Sequence, residues 1–183
     1  MTLIVLLLVI AVVAFALIGM YNSLVSLRVR ADNSWSDIDV QLKRRHDLIP
    51  NLVETVKGYA THEKSTFENV ARYRSAAMQA TTPAERSEAE GMLTQALRGL
   101  LAVAEAYPQL RANENFVSLQ DSLHGIEDAI QNARRYYNAV VRDYNTKLQS
   151  FPTNIVGSMF GFQQRQFFQL DTPADREVPV VKF

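Results

Sequence analysis

The residues that could do chemistry in this chain are few, and their spacing works against them. His62 and Glu63 stand together as in the zinc motif H-E-x-x-H, where two histidines four apart hold the metal from one helix face and the glutamate serves as base. Thr66 occupies the place of the second histidine, so that face is missing. His46 and His124 have no histidine partner at helical spacing, and no Glu-x-x-His pair of the kind a di-iron bundle needs occurs. The chain has no cysteine, which excludes disulfides, thiolate metal sites and thiol nucleophiles. No serine sits in a strand-turn-helix elbow, and no glycine-rich loop is built to cradle phosphate. The residues therefore point to a protein that is not an enzyme, with no catalytic, cofactor-binding or metal-binding set.

Charge narrows the partners further. Lys plus Arg and Asp plus Glu are equal at 19 each, so no net field draws the chain to nucleic acid. The Lys43-Arg44-Arg45 triplet could meet phosphate or an acidic partner. Lys43 and Asp47 also form an i, i+4 pair, which makes a solvated face the plainer reading.

The elements that must position these residues begin with a membrane anchor. Leu3 to Met20 is apolar throughout, with no charge and no proline, and at about 1.5 Å per residue it nearly covers a hydrocarbon core of about 30 Å. A cleaved signal peptide would carry a basic start and a shorter apolar stretch; neither is present, and Tyr21 to Leu24 continue in helical pattern. Residues 1–21 therefore read as a retained single-pass transmembrane helix. Arg28 and Arg30 follow the span and nothing basic precedes it, which favours a cytoplasmic domain, although Asp32, Asp37 and Asp39 dilute the signal.

Beyond the anchor the pattern is helical. Trp35, Ile38, Leu42, Arg45, Ile49, Leu52 and Val56 alternate three and four apart, with only Arg45 polar. Phe116, Leu119, Leu123, Ile126, Ile130, Ala133, Tyr137, Val140 and Tyr144 repeat the spacing with no charged interruption. Two shorter helices lie between, with Phe67, Val70, Ala71 and Met78 on one and Met92, Leu93, Ala96, Leu97, Leu100, Leu101 and Ala104 on the other. Thr82, Pro83 and Glu85 form a capping-box start, Tyr107-Pro108 forms a stop, and Gly58 and Thr61 mark a break. Pro50 predicts a kink or a fresh helix start after Ile49. The expected helices are about 22–60, 63–80, 84–106 and 112–150. The outer two are equally long, about 58 Å each as helix, which suits an all-α fold of one transmembrane helix and an antiparallel up-and-down four-helix bundle.

Residues 151–170 are rich in Phe and carry Arg165 as their single charge. Two readings stand side by side: an interfacial segment that enters the headgroup region, or a loop folded back on the bundle. The Gly157/Gly161 spacing is too short in apolar context for a transmembrane packing motif. The tail 171–183, with Pro173 and Pro179, reads as extended or disordered.

The stretches YNSLVSLR, WSDIDVQLKRRHDLIPNLVETVKGYATHE, ENFVSLQDSLHGIEDAIQNARRYYNAVVRDYN and FPTNIVGSMFGF, behind one N-terminal membrane helix, closely resemble the bacterial LemA family. The likeness covers nearly the whole chain, with the basic stretch at Leu42 to Tyr59 and the later elements at Asn132 to Asn138 and Gly161 to Phe162. The resemblance implies a four-helix up-and-down bundle tethered to the bacterial cytoplasmic membrane, with no established enzymatic activity. The functional expectation is a non-catalytic scaffold that self-assembles or holds another membrane protein at the bilayer. Lipid binding or membrane remodelling through the C-terminal aromatics, and metal or ligand sensing, are the alternatives. The candidate interaction or membrane-surface residues are Trp35, Arg44, Arg45, Phe160, Phe162, Phe167 and Phe168.

Overall fold

The structure is a computed structural model that describes residues 1–169, so the expected tail lies outside the described residues. Six helices account for most of it, and no strand occurs among the described residues: α1 (Thr2–Lys57), α2 (Lys64–Gln79), α3 (Pro83–Glu105), α4 (Pro108–Arg111), α5 (Glu114–Gln149) and α6 (Thr153–Met159). The expected anchor and the helix that follows it are one element, since α1 continues unbroken from Thr2 to Lys57. The fold divides into two compact units, one made of Met1–Asp37 with Arg135–Phe167, the other of Ile38–Arg134 with residues 168 and 169.

α1 continues through Pro50 as one helix, so there is no fresh start after Ile49. Proline lacks the amide that would bond the carbonyl of His46, four residues back. Arg74 of α2 supplies the missing donor, its Nε lying 2.8 Å from that carbonyl oxygen. The start of α3 follows the expected chemistry: the Glu85 amide donates to the Thr82 hydroxyl, and the Glu85 carboxylate accepts from the Thr82 and Thr81 amides. These bonds hold the Glu85 carboxyl below its usual range. α4 is an addition, a single turn begun by Pro108 at its first position.

In the unit Ile38–Arg134, α1, α2, α3, α4 and α5 share one core that includes Leu52, Val56, Phe67, Leu93, Leu100 and Leu110. The α2 stripe differs from the expected one. Ala77 takes the inward place next to Met78, while Ala71 and Met78 are exposed. In the other unit, Leu24, Tyr144, Leu148 and Phe162 form a small separate core. Every member of the α5 stripe is buried or half-buried, as the three-four spacing requires.

Candidate functional site

Two constellations stand out, one in each unit. In the unit Ile38–Arg134, Arg45 is fully buried, although the sequence places it in a basic surface triplet. The heptad stripe turns position 45 inward, and α3 meets it with an acid at the matching position of its own stripe, Glu90, also fully buried. Arg45 Nη1 lies 3.2 Å from Glu90 Oε2, and its Nη2 donates to the Thr94 hydroxyl at 2.8 Å. Its Nε faces Glu127 Oε1 at 3.1 Å, an ion pair without an aligned hydrogen bond. His46 Nε2 closes the set at 2.7 Å from Glu90 Oε1. Removal from water pushes the Glu127 carboxyl above its usual range, Arg45 opposing and Glu90 adding to the rise.

This knot is chemically closed. Two carboxylates and a histidine could in principle move protons, but their close contacts are to one another and to Arg45. The groove beside His46, about 310 Å³, is lined by Asp39, Lys43, Asp47 and Arg86 among others. Its charges pair as Lys43 with Asp47 and Arg86 with Asp39. Among the described residues no group of three acidic, cysteine or histidine side chains is placed to hold a metal ion. His46, which the sequence leaves without a partner, therefore has one in Glu90, from α3.

The second constellation lies in the unit Met1–Asp37 with Arg135–Phe167. After α6 the chain is an extended strap that α5 holds by side chains. Asn145 donates to the Arg165 carbonyl and accepts from the Arg165 amide, each at 2.9 Å. The Tyr144 hydroxyl donates to the Gln163 carbonyl and the Tyr137 hydroxyl to that of Gln166, both at 2.9 Å. Desolvation raises both phenols above their ordinary range. Arg165 itself reaches Asp32 at 2.6 Å. Asn145 thus acts as a clamp on the strap, a role its sequence context does not reveal.

α6 needs small residues to lie where it does. A Cβ on Gly157 would run into the Leu148 side chain, and Gly161 turns the chain at φ 69°. The pair thus serves two separate local ends, side-chain packing at Gly157 and a turn at Gly161. Tyr21 packs edgewise on Phe160 at 4.8 Å and on Phe162 at 5.7 Å, and the Arg28 guanidinium sits 5.2 Å over the Phe162 ring. An apolar groove of about 240 Å³ opens between Leu17, Ile18 and Tyr21 of α1 and Val156, Met159 and Phe160.

Of the expected surface residues, Arg44, Phe160 and Phe167 are exposed and Trp35 is half-buried, edge-on to Tyr137 at 5.2 Å. Arg45, Phe162 and Phe168 are buried and leave that set. Arg45 is taken by its stripe position and Phe162 by the small core around Leu24, while Phe168 is fully buried. Glu90, Glu127 and Thr94 are not marked out by any motif in the sequence. Glu90 alone had a visible signal, an acid in step with Leu93, Leu97 and Leu100.

Known proteins resemble the chain over most of its length. It is 26% identical to magnetosome protein MamQ 2 of Paramagnetospirillum magneticum, covering 94% of this chain and 73% of that one. MamQ of Magnetospirillum gryphiswaldense is 24% identical with the same coverage. Protein LemA of Metamycoplasma hominis is 27% identical over 85% of this chain and 71% of its own. The LemA family pattern matches residues 34–183, and the chain belongs to the LemA family.

Proposed function

We propose that this LemA-family chain is a non-catalytic scaffold tethered to the bacterial cytoplasmic membrane, which assembles with itself or holds another membrane protein there, its helical part on the cytoplasmic side. The observation that carries the reading is α1. Its first part is long and apolar enough to cross a membrane, with none of that stretch buried in the protein, and the same helix continues into the core of Ile38–Arg134. The buried ionisable groups support the non-catalytic part, since Glu90, Arg45 and His46 bond each other. The equal outer runs of the sequence fit an up-and-down bundle as the architecture. MamQ, named a magnetosome protein, is one of its relatives.

Gentle detergent extraction followed by mass measurement tests the proposal. The expected result is a multiple of the 20.7 kDa chain or a reproducible complex with a membrane protein, matched by in-cell crosslinks. A strict monomer that captures nothing reproducibly contradicts it.

A further inference from the structure

The foot of the unit Met1–Asp37 with Arg135–Phe167 carries an unusual surface. Phe151, Ile155, Met159 and Phe160 are exposed by 80%, 51%, 69% and 58%, a contiguous run of large apolar side chains of the kind that water alone does not normally cover. Their position along α1 says what does. Met159 and Phe160 share a groove with Leu17 and Ile18, which belong to the apolar span, and Phe160 packs on Tyr21, the first residue beyond it. Ile18 lies about 3 Å inside the end of the span at Met20. A span residue that faces lipid and a groove that it lines cannot lie in different media.

The chemistry of α6 agrees with that depth. No ionisable side chain occurs from Phe151 to Gln164. Two polar side-chain oxygens of α6 are bonded locally: the Ser158 hydroxyl donates to the Ile155 carbonyl at 2.9 Å, and the Asn154 side-chain oxygen accepts from the Ile155 amide at 2.9 Å. That lowers the cost of leaving water. Arg28, two turns beyond Tyr21 on the same face of α1, stands where a cation meets phosphates, and the aromatic cluster lies between it and the apolar groove. Apolar groove, aromatic ring and cation follow one another in the order of a phospholipid's chain, interface and headgroup.

We infer that α6 and the turn after it are immersed in the leaflet that the span enters, and that the groove between Leu17, Ile18, Met159 and Phe160 is filled by a phospholipid acyl chain. The full chain thus grips its membrane at two points, the span and a re-entrant aromatic foot. This goes beyond the scaffold reading, and it stands or falls separately, because a monomer could hold lipid and an oligomer could leave the foot dry.

The test uses the full chain in vesicles of phosphatidylethanolamine and phosphatidylglycerol doped with phosphatidylcholine brominated in the upper half of its acyl chains. Bromine quenches tryptophan at near contact. The only native tryptophan, Trp35, lies about 22 Å beyond Met20 along α1 and serves as the reference. A tryptophan placed by Phe160→Trp in a Trp35→Phe background is expected to be quenched several-fold more strongly than native Trp35. Ile155→Trp in the same background, at an exposed position whose replacement does not disturb a core, is expected to follow it. Quenching of both no stronger than that of Trp35 overturns the inference, and so does an intermolecular crosslink through position 160 that replaces quenching and shows a second copy in the groove.

Discussion

In the unit Ile38–Arg134, Arg45, Glu90 and His46 are shut inside the protein, whereas in the unit that holds α6 the residues Phe151, Ile155, Met159 and Phe160 are turned outward. Each arrangement inverts the usual rule of which side chains go inside. The knot is made tolerable by the protein itself, which gives each buried charge a partner within 3.2 Å. The foot finds no such partner in its own unit for its outward face, and the span beside it supplies the reason. One inversion is therefore a matter of internal stability and the other of surroundings, so substitutions should separate them cleanly.

The largest separation is expected at Glu90. Glu90→Ala strands Arg45 in the core with only Glu127 for a counter-charge, and loss of one partner of a buried pair costs about 3–5 kcal/mol. Thermal or denaturant unfolding of the full chain in one detergent measures it. The joint replacement of Arg45 and Glu90 by Met and Leu should recover most of that loss, because well-packed apolar residues replace a buried pair with little penalty. Phe160→Ser, by contrast, should cost only about 0.5–1.5 kcal/mol, the worth of its edgewise contact with Tyr21. If it unfolds the chain as Glu90→Ala does, Phe160 is a core residue and the contrast fails.

A middle-sized effect is expected where the strap joins the foot to α5. Asn145→Ala removes both bonds to the Arg165 backbone, a loss of about 1–3 kcal/mol for a buried polar group left unpaired. Hydrogen exchange reads it as faster exchange at the Arg165 amide with α2 and α3 unchanged. Protection that spreads or collapses across Ile38–Arg134 would mean that the strap is no local device.

The smallest effect is a pH dependence confined to the knot. Burial raises the Glu127 carboxyl above its unfolded value, with Arg45, Glu90, His124 and Arg98 as the charges that act on it. The folded chain then holds that proton more tightly than the unfolded one, so its contribution is fully present below the ordinary carboxyl range and is lost as pH rises through the raised value. Glu127→Gln should flatten this segment of the stability curve. An unchanged slope in that variant removes Glu127 from the account.

How much of this could be read in the sequence depends on the range of the interactions. The capping box at Thr82 and Glu85, the stop before Pro108 and the apolar span are set by neighbours a few residues apart, and each stands where local chemistry puts it. The knot is different, because Arg45 and Glu90 are 45 residues apart. Each is visible only as a polar interruption of an apolar stripe, and the complementary signs of the two interruptions were the available clue. Pro50 does not start a new helix for the same reason: Arg74 from another helix satisfies the carbonyl it frees. Phe160, Phe162 and Phe168 look alike in a chain of aromatics. Packing around Leu24 buries Phe162, Phe168 is buried as well, and Phe160 faces out.

The absence of cysteine allows a single spin label to be placed at will, and the most direct test of the contrast is collision accessibility at position 160 through Phe160→Cys. In vesicles, the label there should be relaxed more by lipid-soluble oxygen than by a water-soluble nickel chelate, while a label at the exposed position 136, through Tyr136→Cys, shows the reverse. A label at position 160 as accessible to the nickel chelate as the one at 136 would contradict the account.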